Sequence, residues 1–262
     1  MGSSTSSIGN DSSNLQACLN SLVDRNVQWL IVPSESNVPR RHLMEVDLAE
    51  HVPSIAPEGR LSSEKRRAMY EVALRVRANI TQCLTEMRKG GVRFWIGGPG
   101  EEVHGAAVAQ AMVDFDLECR CPEGEWQTSF FPHYRSDGLV TALAELRGHQ
   151  DFTRTYFRQA LSKVTDTMTR GRQMVMHVAD PERGIFPAQS PLGMNLPKAA
   201  GYAKARKVSD LAGVTVVACG DGSTATSDFH EACTAASLWN LPLVVMITDN
   251  EIAISVEPDE GR

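Results

Sequence analysis

Val214-Thr215-Val216-Val217-Ala218, then Gly220-Asp221-Gly222, then a helical stretch from Ser227 to Trp239, then Leu243-Val244-Val245-Met246-Ile247: this succession decides the fold. Each short run of β-branched and aliphatic residues has the length of a buried strand. The stretch between them is long enough for the crossover that parallel strands require. The expected unit is a right-handed βαβ, and the expected class is α/β, a parallel sheet flanked by helices. In such sheets ligands sit outside the carboxyl ends of the strands, so the turn after the first run and Asp249-Asn250 after the second converge on one crevice. Neighbouring strands lie about 4.8 Å apart, which brings the Asp221 carboxylate and the Asn250 amide oxygen within reach of one small cation. Hard oxygen donors of this kind suit magnesium. The flanking glycines let backbone approach closely, and the amides of Gly222 and Ser223 are expected to open the helix, where its dipole favours an anion. A magnesium-bridged diphosphate satisfies both requirements. A GDG triplet alone is equally the sequence of an ordinary turn, and the second element, 29 residues after Asp221, is what distinguishes the two.

Outward from this unit, Ser62-Ser63-Glu64-Lys65 supplies a helix start, and Met69, Val72, Val76, Ile80, Cys83, Leu84 and Met87 recur near the 3.6 period until Gly90-Gly91. A Gly-rich turn at residues 97–100 leads into a run from Glu101 to Val113 that is dense in small residues, as in a helix buried against close neighbours. Residues 152–169 read as a further helix. Residues 1–14 are rich in Ser, Gly and Asn and read as a disordered lead-in. Residues 15–60 read as an N-terminal arm in which apolar pieces such as Trp29-Leu30-Ile31-Val32 alternate with Pro and polar clusters. Residues 61–262 form the main domain.

The chain has 262 residues, 42% hydrophobic and 22% charged, enough for a sizeable core, and its formal net charge is -6. No block of like charge would track a nucleic-acid backbone or an anionic membrane, so no nucleic acid and no membrane is expected as a partner. No apolar stretch approaches the roughly 18 residues needed to span a bilayer. The six cysteines show no CxxC pair. They read as reduced cytosolic thiols, with Cys119-Arg120-Cys121 the one close pair. The start of the chain lacks the order of a secretory signal and is poor in Arg, so a bacterial cytoplasm is expected ahead of a mitochondrial matrix.

Residues 220–222 through Asp228-Phe229-His230-Glu231-Ala232, residues 235–242 and residues 249–255 together resemble the thiamine-diphosphate motif of the alpha subunits of 2-oxo acid dehydrogenases. Further blocks follow that family's order. Gly100-Glu101-Glu102 resembles its GEE segment, and Tyr134-Arg135 its pair on the cofactor diphosphate, a role suited to a planar guanidinium. Gly171-Arg172-Gln173-Met174 with His177 resembles its GRQM…H segment. Gln189-Ser190-Pro191-Leu192 resembles the loop that receives the aminopyrimidine ring through the Ser190 carbonyl and the Leu192 amide.

The resemblance implies a thiamine-diphosphate-binding fold that is incomplete at its C-terminus. Asp221, Asn250 and the Ile252 main-chain oxygen would hold Mg2+. Tyr134, Arg135, Ser190, Leu192, Gly220, Gly222, Ser223 and Thr248 would stand around thiamine diphosphate. The candidate catalytic imidazoles are His177 and His133, whereas His230 is expected to pack on its helix. Ile252 replaces a usual tyrosine, Thr248 replaces an arginine of branched-chain members, and Asp249 replaces the first asparagine of an NN pair. Met194 and Asn195 replace the threonine and glutamine that hold potassium in those members.

The implied activity is oxidative decarboxylation of a 2-oxo acid, branched-chain type favoured over pyruvate, with acyl transfer to a lipoyl group of the acyltransferase component. A beta subunit or fused beta half would complete a heterotetramer and supply the activating glutamate, leaving this chain inactive alone. Two alternatives stand beside it: an acetoin dehydrogenase alpha-type enzyme, and a non-catalytic truncated assembly subunit. The Tyr134-Arg135 and GRQM blocks argue against a transketolase-like protein.

Overall fold

The computed structural model describes residues 28–33, 62–119, 126–211, 213–250, 252–254 and 256, the first six as backbone alone. The lead-in and the rest of the arm lie outside these residues, as do Arg120 and Cys121. The βαβ unit is present: β3 (Val214–Gly220) and β4 (Leu243–Asp249) pair in parallel, joined through α6 (Ser227–Leu238). Two further strands, β1 (Gln28–Pro33) and β2 (Thr128–Phe131), flank them. Among the described residues all four form one parallel sheet of order β1-β4-β3-β2. The arm therefore contributes an edge strand, with Trp29 opposite Val245.

Alternation along the strands divides the core in two, because successive side chains leave a strand on opposite faces. Phe130, Val216, Ala218 and Met246 point to one face, where they meet α1 (Ser63–Arg88), α2 (Glu102–Glu118), α3 (Asp137–Leu146) and α4 (Phe152–Ala160). Phe131, Val217, Cys219, Val245 and Ile247 point to the other, against α5 (Asn195–Val208) and α6. Both faces are buried, which is why the strands read as continuous apolar runs. No described helix is long and apolar enough to cross a membrane.

Ser62 caps α1 as expected, its side chain accepting from the Lys65 amide at 3.1 Å. The small-residue run reaches five residues beyond expectation and packs tightly on α3: a Cβ at Gly105 would lie 2.5 Å from the Leu139 amide nitrogen.

Two expectations are corrected. The helix expected over 152–169 stops at Ala160, where Ser162 takes φ 51 and the buried Asp166 carboxylate captures the amides of Met168 and Thr169 at 2.9 and 3.0 Å. A side chain that satisfies local amides competes with the helical ladder. The Gly222 and Ser223 amides do not open α6. Asp221–Ala225 forms a 3-10 turn, and the α-helix starts at Ser227 behind its cap Thr226, whose side chain accepts from the Phe229 amide.

Candidate functional site

Because all strands run the same way, the segments after β2, β3 and β4 leave the sheet at one edge. Gly220 pairs with Thr248, so Asp221 and Asn250 depart from neighbouring strands just beyond this pair. The two departures touch: a Cβ at Gly222 would come within 2.7 Å of the Ala253 Cβ. Asp221 and Ser223 are buried in the turn. The Asn250 side-chain oxygen accepts from the Ile252 amide at 3.2 Å, folding the loop back toward the turn.

After β2, residues 132–135 bring a second group of side chains to the same edge. A Cβ on Gly220 would stand 3.1 Å from Arg135 Nη2 and 3.6 Å from His133, so the missing side chain is what admits the guanidinium beside the turn. Arg135 Nη1 donates to the Tyr134 hydroxyl at 3.0 Å, and its Nε meets Glu101 at 3.3 Å, with both side chains of this ion pair 12% exposed. Burial raises the Glu101 carboxyl while the Arg135 charge lowers it, and burial prevails. Burial, and then the Arg135 charge, hold His133 well below the usual imidazole range, so it is neutral at pH 7.

The third contributor is the loop 189–193. It arrives because residues 184–186 run along the free edge of β2, where Phe186 donates its amide to the Phe130 carbonyl at 2.8 Å and stacks on Phe131. At Gly193, φ is +78, and a Cβ there would lie 2.5 Å from the Thr226 hydroxyl, so the loop seats directly on the cap of α6. Gly193→Ala is expected to cost about 2 kcal/mol, combining left-handed strain with displacement of that cap. Chemical denaturation would measure it, and a change under 0.5 kcal/mol would show that the loop is not seated there.

These segments border an open cleft lined by Pro132, His133 and Tyr134, by Ser190, Leu192 and Asn195, and by Cys219 and Ser223. His177 stands behind Ser190, with its Nε2 2.6 Å from the hydroxyl. Burial pushes the Cys219 thiol up to about 12, so it is an apolar wall rather than a nucleophile.

Thr248 is 4% exposed and donates its hydroxyl to the Cys219 carbonyl at 3.0 Å, which places that proton inside the sheet. His230 is exposed on α6, its ring edge-on to Phe229 with centroids 5.5 Å apart. Among the described residues no group of three or more His, Cys, Asp or Glu could hold a metal. The expected donors Asp221, Asn250 and the Ile252 carbonyl include a single carboxylate, so they are not a group of that kind. Sequence reasoning gave no role to Glu101, Asn195 or Gln159, because their partners Arg135, Pro132 and Met176 are remote or main-chain groups that no local pattern announces.

The chain is 28% identical over 200 residues to the 2-oxoisovalerate dehydrogenase subunit alpha of Pseudomonas aeruginosa, covering 74% of this chain and 43% of that protein. The Bacillus subtilis protein of the same name gives 28% over 200 residues, covering 76% and 56%. The alpha subunit of an acetoin:2,6-dichlorophenolindophenol oxidoreductase of Cupriavidus necator gives 35% over 91 residues, covering 35% and 27%. The chain thus spans about half the length of the 2-oxoisovalerate dehydrogenase subunits it matches. Residues 77–262 match the family model described as the dehydrogenase E1 component, and the chain belongs to that family.

Proposed function

We propose that the chain is the alpha part of a 2-oxo acid dehydrogenase first component, of the branched-chain type, and that its cleft receives thiamine diphosphate with Mg2+. The observation that carries this is the polarity of the cleft. At one end Tyr134 and Ser223 line the cleft, and the Arg135 guanidinium, bonded to the Tyr134 hydroxyl, lies beside the glycine turn of Asp221, suited to a metal-bound diphosphate. At the other the loop 189–193 closes over a space lined by Ser190, Leu192 and Asn195, suited to a ring.

The residues fit the absent groups. Asp221, the Asn250 side chain and the Ile252 carbonyl are hard oxygen donors on two touching turns. Gly222 and Ser223 place their amides in the 3-10 turn at the anion's end. When bound, thiamine diphosphate would supply the carbon nucleophile that a 2-oxo acid requires for decarboxylation. The chain's own residues would orient and enclose it: Tyr134 and Arg135 would hold the diphosphate and Leu192 would stand against the ring, while the neutral His133 adds no charge to the cleft. The remaining walls, the activating glutamate and the lipoyl acceptor would come from a beta subunit and an acyltransferase component. A bacterial cytoplasm fits the bacterial relatives best.

Calorimetric titration of thiamine diphosphate, with and without magnesium, tests the reading. Magnesium is expected to tighten binding to the full chain. Asp221→Asn should weaken the magnesium-supported affinity about 30-fold, the loss of one charged contact, and remove the metal dependence. Binding that ignores magnesium, or an Asp221→Asn variant that behaves as the parent, would sink it. The acetoin oxidoreductase similarity favours a second reading, in which acetoin is the substrate. Assays with a beta subunit across 2-oxo acids and acetoin separate the two.

A further inference from the structure

The cleft sits where the strands end, and the opposite edge of the sheet, where they begin, carries a patch that the proposed function does not use. Helix α5 ends at Val208, shortly before β3 starts at Val214, and α6 ends at Leu238, shortly before β4 starts at Leu243. Lys207 ties the two helix ends together, its Nζ donating to the Trp239 and Asn240 carbonyls at 2.8 and 3.0 Å. Lys204 Nζ lies 3.2 Å from the centroid of the Trp239 ring. Around this junction Val208 is 78% exposed, Leu238 71%, Leu211 57% and Trp239 42%. Exposed apolar residues scattered singly are ordinary, but four at one junction form a patch that calls for a cover.

The chain itself supplies the occupant. β1 enters the sheet at this same edge, because its first residue, Gln28, pairs with Val244 at the start of β4. The residues before Gln28 are therefore delivered one strand away from the turn at Trp239. Among them Leu15, Cys18, Leu19, Leu22 and Val23 recur at i, i+3, i+4, i+7 and i+8, the spacing of one apolar helix face, with Gln16, Asn20 and Ser21 off that face. The steps from Val23 to Gln28 reach at most about 18 Å, which keeps this stripe close to the ends of α5 and α6. Charge agrees: the only charged residues among 1–24 are Asp11 and Asp24, and the patch is rimmed by Lys204 and Lys207. So short a stripe does not hold a helix by itself in water and needs an apolar face to pack on. It also precedes residues 77–262, the part that matches the family model, so the contact belongs to this chain's own arm.

We propose that residues 15–23 dock as an amphipathic helix on the patch of Val208, Leu211, Leu238 and Trp239. The docked segment covers the edge where the strands begin and fastens β1 to the sheet through its own N-terminal extension. The cleft lies at the opposite edge, so this docking stands or falls apart from the proposed cofactor.

Cys18 lies on the contact face and serves as the probe. Full-length chains carrying Val208→Cys or Leu238→Cys are oxidised with copper phenanthroline at low protein concentration, and the disulfides are mapped by peptide mass spectrometry. Leu117→Cys is the control, equally exposed but at the end of α2 on the other face of the sheet. Both patch variants should form an intrachain disulfide with Cys18 at least about fivefold more than the control, since the bond requires close approach. A yield no higher than the control's would overturn the proposal. Hydrogen exchange gives a second measurement on chains without added cysteines. The Trp239 and Asn240 amides, bonded to the Ala235 and Ser237 carbonyls, should exchange about tenfold faster when Leu19→Asp and Leu22→Asp are combined, while α3 keeps its protection. Unchanged exchange at Trp239 and Asn240 would refute the docking. Should the double variant lose protection in α3 as well, its fold has gone and the cross-links of the single variants decide. Disulfides between two chains, or protection that rises with protein concentration, would give the patch to a second copy and sink the proposal.

Discussion

Arg147→Ala is expected to destabilise the fold by about 3–5 kcal/mol, the cost of leaving its buried partner charge uncompensated. The Arg147 side chain is fully buried and its partner Asp116 nearly so, with Nη2 2.6 Å from the carboxylate. Asp116 also accepts from the Thr128 amide at 2.8 Å and the Thr128 hydroxyl at 3.1 Å. Arg147 donates to the Arg183 carbonyl at 2.6 Å and lies over the Trp126 ring at 4.6 Å. One guanidinium thus joins the end of α2, the start of β2, the end of α3 and the 3-10 turn Pro181–Arg183. Truncating it leaves a buried carboxylate and several unmatched acceptors. With a total stability on the order of 5–15 kcal/mol, such a loss approaches unfolding at 37 °C. Urea unfolding is the measurement. A loss below 1 kcal/mol would show that the cluster is solvated in solution. Because β2 carries residues 132–135, partial loosening should also weaken cofactor binding before the fold is lost.

The sequence made the βαβ unit and the Asp221 crevice legible because both depend on local information: β-branched runs, a glycine turn and a fixed interval to Asn250. β1 was hidden because its six residues sit among Pro and polar clusters, and its partner β4 lies more than 200 residues away. β2, at four residues, was too short to announce itself. The helix over 152–169 was overextended because periodicity does not reveal that the Asp166 carboxylate takes the amides the helix would need. Within the site, Tyr134, Ser190, Leu192 and Ser223 of the motif blocks do line one cleft, whereas the partners that orient its side chains left no motif. Glu101 meets Arg135 across 34 residues, and Gln159 grips main-chain atoms and leaves no pairing signal in sequence.

The second large effect is a dependence of stability on pH set by Asp137. Burial pushes its carboxyl up from 3.8 to about 7. The Tyr156 hydroxyl, donating at 2.6 Å, and the Gly98 amide work against that rise, and the charges of Glu101 and Glu102 add to it. The folded-state value lies above the unfolded one, so between about pH 4 and 7 the folded chain keeps a proton that the unfolded chain releases. The contribution of this group to stability is therefore full below pH 4, falls as pH rises through 7 and is gone above it. A shift of this size corresponds to about 4 kcal/mol at most, and about 3 kcal/mol of it lies between pH 5 and 8. Asp137→Asn keeps an oxygen for Tyr156 and cannot ionise, so it should lose this slope and be the more stable form at pH 8. His133 titrates with the opposite sign, since burial lowers it and its neutral form is favoured as pH rises. Comparing parent and Asp137→Asn at each pH cancels that contribution. Unfolding free energies at pH 5 and pH 8 decide the matter: a difference between the two proteins that changes by about 3 kcal/mol supports the buried proton, and parallel curves refute it. Since Asp137 also raises its charge beside Glu101 when it ionises, the same proton weights the Glu101–Arg135 pair at the anion end of the cleft.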